Sequence, residues 1–341
     1  MSISGYRVAV VGATGLVGET ILQILEERDF PVSEIIPLAS ENSSGKTIIY
    51  QDKTVKVLSL EGFDFEGIDI ALFSAGAAIS ETYAPLAARA GVIVIDNSSI
   101  FRNDPDIPLI VPEVNPLAID GFRERNIIAN PNCSTIQMLV AIKPIYDAVG
   151  IKRITVSTYQ SVSGMGRKAV EALAKQTARL MNGLGVEEDI FAKQMAFNVI
   201  PEIDELQENG YTREEMKMVW ETQKILQNVS IQVNPTAVRV PVFFGHSESV
   251  HIETQQYIDA AMVRELLNNA PGVEVIDSTE ELVSASPAIN AVGQDQVFVS
   301  RIREDLDNNT GINLWIVSDN IRKGAALNAV QIAELLVKTQ L

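Results

Sequence analysis

The stretch Arg7-Val-Ala-Val-Val-Gly12-Ala-Thr-Gly15-Leu-Val-Gly18 decides the fold. Arg7–Val11 is rich in Val and lacks polar alternation, as a strand buried on both faces requires. Three glycines follow in the pattern G-x-x-G-x-x-G, and Ile21, Leu22, Ile24 and Leu25 then mark one face of a helix. The spacing differs from the G-x-G-x-x-G of the usual dinucleotide fingerprint, but the physics is shared. Glycine lets the backbone turn sharply and approach a pyrophosphate, and the helix N-terminus offers unpaired N–H groups and a positive dipole. Gly12, Thr14, Gly15, Leu16 and Val17 are therefore expected to hold a dinucleotide.

Outward from this turn, Glu34–Ser40, Ile68–Ala75 and Val92–Asn97 read as further strands, and Ser80–Ala90 as a helix. Apolar strands alternating with helices predict an α/β, Rossmann-like, doubly wound parallel sheet. An acidic residue at the end of the second strand is the usual ribose ligand of NAD sites. Here that strand ends at Ser40, followed by Glu41, Asn42, Ser43, Ser44, Gly45 and Lys46. The hydroxyls and the lysine suit a 2′-phosphate, whereas Glu41 suits a ribose hydroxyl. The stretch leans to NADP without settling it.

Near residue 131 the pattern changes. A helix carrying Ile136, Leu139, Val140 and Ile142 is followed by an alternating strand, Lys152–Tyr159, and a helix, Arg167–Met181. A charged stretch, 183–235, contains a helix at Thr212–Leu226. Alternating segments at Ala237–Phe243, Ser249–Tyr257, Val297–Ile302 and Ile312–Ser318 suggest an antiparallel or mixed sheet with helices on one face, and a last helix spans Gly324–Val337. The expected division is a dinucleotide-binding domain, 1–132, to which the C-terminal segment 321–341 returns, and an α+β catalytic and dimerisation domain, 133–320.

With 46% hydrophobic and 21% charged residues among 341, the chain has the composition of a folded globular protein. A net charge of -17 argues against binding nucleic acid or an anionic membrane surface. The single cysteine excludes an intrachain disulfide and fits a reducing compartment. No signal peptide is visible, and stretches such as Ile70–Ile79 fall short of the roughly 20 apolar residues of a membrane span. A cytoplasmic location is expected, and no metal site.

Cys133, in Asn130-Pro-Asn-Cys-Ser-Thr135, stands just before a helix, where unpaired N–H groups lower a thiol's pKa. A nucleophile needs a proton acceptor, and the chain offers His246 and His251. His251 lies among strand-core neighbours, and the odd spacing puts the two on opposite faces of a continuous strand. His246, after Gly245 at a strand end, is the expected acid–base group.

These elements together resemble the aspartate-β-semialdehyde dehydrogenase family. The matching stretches are Val11–Gly18, Ser74–Gly76, Asp96–Arg102, Val111–Asn115, Asn130–Thr135, Ser157–Gly164, Glu214–Lys217, Arg239–Pro241, Gly245–Ser249 and Ser318–Asn320. The resemblance implies reductive dephosphorylation of aspartyl-β-phosphate by NADPH, through a thioester on Cys133, on the route to lysine (by way of diaminopimelate), threonine and methionine. It implies that Gln160 and Asn132 assist Cys133 and His246, that Arg239 grips the α-carboxylate and Glu214 the ammonium, and that Arg102 and Lys217 hold phosphate. Gln160 also holds the substrate. Ser40, Asn42, Ser43, Ala75, Gly76, Ser163, Gly164 and Asn320 are implied cofactor contacts, and a homodimer the assembly. Other acyl-phosphate or acyl-thioester reductases share the Cys–His logic, but Arg239 with Glu214 favours a zwitterionic substrate. One departure stands out. The family commonly has arginine where this chain has Asn42, which predicts weaker selectivity for NADP over NAD.

Overall fold

The computed structural model describes residues 5–187, 190–278 and 280–340. The chain forms two compact units, one of residues 1–132 with 325–341, the other of residues 133–324.

The first unit begins β1 (Tyr6–Val11), α1 (Leu16–Glu27), β2 (Val32–Ala39), β3 (Thr47–Tyr50), β4 (Lys53–Lys56), β5 (Leu58–Ser59), β6 (Ile70–Phe73), α2 (Ala77–Arg89), β7 (Ile93–Asp96) and β8 (Ile127–Ala129). Six strands pair in parallel in the order β5-β2-β1-β6-β7-β8. Val8, Ala9, Val10 and Val11 are fully buried, which is why β1 carries no polar alternation. β3 and β4 form a separate antiparallel hairpin that hydrophobic periodicity did not suggest. The chain leaves β1 for β2 on one side and returns to β6 on the other. The carboxyl ends of β1 and β6 therefore make the switch point at which such sheets bind ligands.

The second unit comprises α3 (Cys133–Val149), β9 (Ile151–Gln160), α4 (Arg167–Met181), α5 (Arg213–Ile225), β10 (Gln232–Arg239), β11 (His246–Thr254), α6 (Ala260–Asn268), β12 (Val273–Val275), β13 (Val297–Glu304) and β14 (Gly311–Ser318). Its sheet is mixed, in the order β10-β9-β11-β14-β13-β12, with the two outer pairs parallel and the inner pairs antiparallel. α3 lies against β9, β11, β13 and β14. The buried face of β9 accordingly alternates through Ile154, Val156, Thr158 and Gln160.

Two strands sit earlier than the sequence suggested. The strand expected at Ala237–Phe243 is β10, Gln232–Arg239. Pro235 is accommodated because β10 is an edge strand, where a missing N–H costs nothing. The strand expected at Ser249–Tyr257 is β11, His246–Thr254. His246, Ser247 and Glu248, which precede the expected strand, are buried and pair with β14, and Ser247 and Glu248 also with β9. α6 and β12 were not among the elements expected from the sequence.

The second unit runs to Gly324, past the expected boundary at 320, and α7 (Leu327–Thr339) belongs to the first. Val330, Ile332, Ala333 and Leu336 of α7 share one core with Val8, Ile21 and Leu25. The side chain of Asn328 donates to Asn130 Oδ1 (2.6 Å) and to the carbonyl of Ile110 (3.0 Å), fixing the segment that leads to Cys133.

Gly18 is set by close approach, since a Cβ there would lie 2.1 Å from the Gly12 carbonyl oxygen. Gly18→Ala is expected to cost about 3 kcal/mol, as overpacking against backbone does, and to abolish dinucleotide binding. Thermal melting with and without NADP checks both effects.

Candidate active site

Six of the residues singled out from sequence converge in the second unit, and the local structure explains how. Cys133 is the first residue of α3 and is half-buried, so its thiol is neither sealed in the core nor fully in water. Gly324 packs on it, since a Cβ on Gly324 would fall 2.7 Å from the Cys133 Cβ. Ser134, next along α3, accepts a hydrogen bond from Gln160 Nε2 at 2.8 Å. Gln160 ends β9, is 1% exposed, and also donates to Glu214 Oε1 at 3.2 Å.

Glu214 and Lys217 face the cluster because α5 is tightly anchored. Thr212 and Glu215 form a reciprocal capping box, with the Glu215 amide donating to Thr212 Oγ1 and the Thr212 amide to Glu215 Oε2. The other Glu215 oxygen accepts the Ala237 amide of β10 at 2.9 Å, which ties the helix to the strand that ends in Arg239. Lys217 Nζ donates to Glu214 Oε2 (2.9 Å) and to Asp204 Oδ2 (2.7 Å). The i,i+3 pair is thus no solvated surface pair, for the side chains of Lys217 and Glu214 are 16% and 9% exposed. Burial opposes the Lys217 charge, but Glu214 and Asp204 outweigh it and hold the lysine above its ordinary value.

Arg239 ends β10, with Nη1 donating to the Ser161 carbonyl at 2.7 Å. Burial pulls it below the ordinary arginine value, while Glu214 and Cys133 act to restore it, which puts both groups within electrostatic reach of Arg239. His246 opens β11 and is fully buried. Its Nδ1 accepts the Ser161 amide at 3.1 Å. An amide can only donate, so the neutral ring carries its proton on Nε2. Nε2 has no protein partner. Burial, then Arg239, drive the imidazole down to about 3, so at neutral pH it is uncharged. His251 lies on the other face of β11, bound to Asp305 at 2.8 Å.

Ser163 and Asn320 belong to the same layer. The Ser161 and Ser163 hydroxyls donate to Asn320 Oδ1, each at 3.1 Å, and so does the Gly245 amide, at 2.9 Å. Asn320 thus braces the entry to β11. A Cβ on Gly164 would stand 3.2 Å from Arg239 Nη1 and 3.6 Å from His246 Nε2, so Gly164 lies beside both groups.

The remaining sequence-selected residues lie in the first unit. Gly12 (φ +88°) must be glycine, because a Cβ would meet Ser74 Oγ at 2.9 Å and the Ala75 amide nitrogen at 3.0 Å. No side chain caps the N-terminus of α1 at Gly15 or of α2 at Gly76, and a Cβ on Gly76 (φ +93°) would meet open space. Two uncapped helix starts with Gly12, Thr14, Leu16, Val17, Ala75 and Gly76 at the switch point fit a pyrophosphate. Beyond β2, Ser40 and Asn42 are exposed, Ser43 is half-buried, and Lys46 Nζ lies 3.4 Å from Ser43 Oγ. Arg102 is buried, with Nε donating to the Asn130 carbonyl and Nη2 to the Asn97 carbonyl. Asn132, also buried, ends this unit.

Sequence reasoning missed Ser134, Ser161, Asp204, Glu248 and Gly324. The serines, Asp204 and Gly324 look like ordinary polar or turn residues in sequence. Glu248 had a usable signal, being two residues from His246 and therefore on the same strand face.

A family model described as "Semialdehyde dehydrogenase, NAD binding domain" matches residues 7–122, and one described as "Semialdehyde dehydrogenase, dimerisation domain" matches residues 142–323. The class is therefore the semialdehyde dehydrogenases, which are oxidoreductases. The aspartate-semialdehyde dehydrogenase 2 of Vibrio cholerae is 60% identical over 98% of both chains, and the aspartate-semialdehyde dehydrogenase of Bacillus subtilis 48% identical over 99% of both. A crystal structure of the Vibrio cholerae aspartate semialdehyde dehydrogenase II, described as complexed with ASA, superimposes with a TM-score of 0.97 at 58% identity, covering 99% of each chain. The chain belongs to the aspartate-semialdehyde dehydrogenase family.

Glu248 itself is fully buried opposite Thr158, and neither carboxyl oxygen has a well-formed hydrogen bond. Burial drives it well above the ordinary carboxyl value, and Gln137 of α3 only partly offsets this. An acid whose folded value is raised holds its proton more tightly folded than unfolded. Its contribution is therefore greatest below the unfolded value and falls as pH rises through the folded one. Glu248→Gln keeps the shape without the titration. It should melt higher than the parent at pH 7, by about 3 °C for each kcal/mol recovered, with the difference vanishing towards pH 4. Melting curves across that range check the sign.

Proposed function

We propose that this chain catalyses the reversible NADPH-dependent reductive dephosphorylation of aspartyl-β-phosphate to aspartate-β-semialdehyde, through a thioester on Cys133. The observation that carries this reading is the dipolar clamp beside the thiol. Arg239, a buried cation, lies within electrostatic reach of Glu214 and of Cys133, and Gln160 links Glu214, a buried anion, to Ser134, the residue after Cys133. A zwitterionic amino acid is what such a pair complements: the guanidinium fork takes the α-carboxylate and the carboxylate takes the ammonium. A singly charged acyl group would engage only one of the two and forgo the other contact.

With substrate so held, the Cys133 sulfur attacks the acyl carbon and phosphate leaves, giving a thioester. Gln160, itself fixed by Ser134 and Glu214, orients the acyl group. An Asn132 amide aimed at the developing oxyanion contributes, in comparable sites, about 3 kcal/mol. His246 is the acid–base group, and its working atom is Nε2, because Ser161 occupies Nδ1. Kept neutral by its surroundings, the ring presents an N–H to the oxygen of the tetrahedral species and handles the proton as the hemithioacetal forms or breaks. Arg102 and Lys217 take the phosphate.

The nicotinamide, when bound, supplies the hydride. Gly12, Thr14, Gly15, Leu16, Val17, Ala75 and Gly76 would hold the pyrophosphate and its neighbours, with Ser40, Asn42 and Ser43 at the adenosine end. Ser163, Gly164 and Asn320 are assigned to the cofactor on family resemblance, and their place in the His246 layer supports a role close to the chemistry. The match of residues 142–323 to a dimerisation domain supports a homodimer built through the second unit. A cytoplasmic place in the synthesis of lysine, threonine and methionine, with diaminopimelate on the lysine branch, goes with this reaction.

The reverse reaction tests the assignment. Aspartate semialdehyde, phosphate and NADP should give a rise in NADPH absorbance that depends on phosphate. Cys133→Ala should abolish it while leaving NADP affinity intact, and a signal independent of phosphate, or turnover by the variant, would sink the mechanism.

Selectivity for NADP gives a second check. Asn42→Arg adds a charge-assisted bond of about 1.5–3 kcal/mol to a 2′-phosphate. The ratio of kcat/KM for NADP over NAD should therefore rise at least about tenfold; equal ratios in parent and variant would contradict the placement of that phosphate.

A further inference from the structure

Asp204 is a charged group beside the cluster that the proposed chemistry leaves unused. It adopts a left-handed backbone (φ 70°), which aspartate tolerates better than most residues but which still carries strain. Its Oδ1 accepts the Glu205 amide at 3.0 Å, and its Oδ2 accepts Lys217 Nζ at 2.7 Å. The flanking chain holds it in place. The Arg213 amide donates to the Glu205 carbonyl at 2.7 Å, and Leu206 bridges to Thr212 at the start of α5. Upstream, Ile200 and Arg239 exchange both backbone hydrogen bonds, at 2.9 and 2.8 Å. One short segment thus grips the two cationic residues of the site, Arg239 by its backbone and Lys217 by its side chain.

The charge arithmetic gives Asp204 a role. Lys217 and Arg239 carry two positive charges, and Glu214 and Asp204 two negative ones. Glu214 already has partners in Gln160 and Lys217, and in the reading above it meets the substrate ammonium. Asp204 has no such second duty. A phosphate dianion arriving at Lys217 meets an ammonium flanked by two carboxylates, each already holding one of its three N–H donors, so displacing Asp204 frees a second donor and removes a repelling charge. The side chain of Asp204 is 27% exposed, against 16% for Lys217, so the displaced carboxylate has water to turn to.

We propose that Asp204 is a displaceable counter-ion of Lys217 that keeps phosphate binding weak and reversible. It tunes affinity and does not touch the reacting atoms. The inference rests on the reading of Lys217 as a phosphate ligand.

The test is steady-state kinetics of the full-length enzyme in the reverse direction, with inorganic phosphate as the varied substrate. Asp204→Asn keeps the left-handed backbone and the Oδ1 acceptor, and removes both the charge and the oxygen that Lys217 donates to. It should lower KM for phosphate about fivefold, the scale of one partly exposed ion pair, and leave KM for aspartate semialdehyde and for NADP unchanged. Asp204→Gly, which also accepts the backbone conformation, should act in the same direction and serves if the first variant folds poorly. Lys217→Met should raise KM for phosphate, and on that background Asp204→Asn should have no further effect. An unchanged or raised KM in Asp204→Asn, with Lys217→Met behaving as expected, overturns the counter-ion role and leaves the phosphate reading standing. The same drop in KM on the Lys217→Met background overturns it too, by showing a general field effect. If Lys217→Met leaves KM for phosphate unchanged, the phosphate reading fails and this inference with it.

Discussion

The carboxylate of Glu215 fixes the geometry on which the second unit's polar cluster depends. One oxygen closes the N-terminus of its own helix, and the other accepts the Ala237 amide of β10. Helix and strand are thereby locked in register. Residues neighbouring the lock inherit their positions from it, Glu214 and Lys217 on the helix and Arg239 two residues beyond Ala237. An isolated helix cap contributes about 1 kcal/mol. Here the same side chain also decides where three charged groups stand, so its structural consequence exceeds its energetic one.

Those charges are buried, and burial makes their arrangement strict. In a low dielectric an unpaired ion is costly, so each must have a partner. Lys217 is satisfied by two carboxylates, and Arg239 by a carbonyl with Glu214 close by. His246 meets the same demand by staying neutral, with Nδ1 saturated by Ser161. Nε2 is then its single unsatisfied polar atom, which is what a proton-handling position requires. Glu248 shows the alternative outcome. There burial outweighs the hydrogen bond that Gln137 offers and favours the protonated form.

Much of the fold was legible because long buried strands and amphipathic helices leave periodic signals. β1, α1, α3 and α4 are of this kind. The shifted strands failed for an identifiable reason. β10 contains Pro235, and β11 opens with His246, Ser247 and Glu248, residues that local propensity reads as turn or loop. Tertiary burial overrides that propensity, since β11 is central and its polar residues are enclosed by β9, β14 and α3. The site follows the same division. Cys133 and His246 could be picked out from residue type and local position, and Gln160, Glu214, Lys217 and Arg239 only because their short stretches resemble those of a known family. Asp204, Ser161 and Gly324 could not, for each owes its importance to a neighbour far away along the chain.

The sequence by itself determined which chemistry was available: one thiol at the start of a helix, an imidazole at a strand end, and a glycine turn after the first strand. Those are properties of residue type and local spacing, and they survive without any knowledge of contacts. Only the tertiary structure decided the ionisation and partnership of these groups: that His246 is neutral and protonated on Nε2, that Lys217 is shared between two carboxylates, and that burial pushes the Glu248 carboxyl up. The reason is that charge states depend on burial and on the distance to other charges, and both are created by folding.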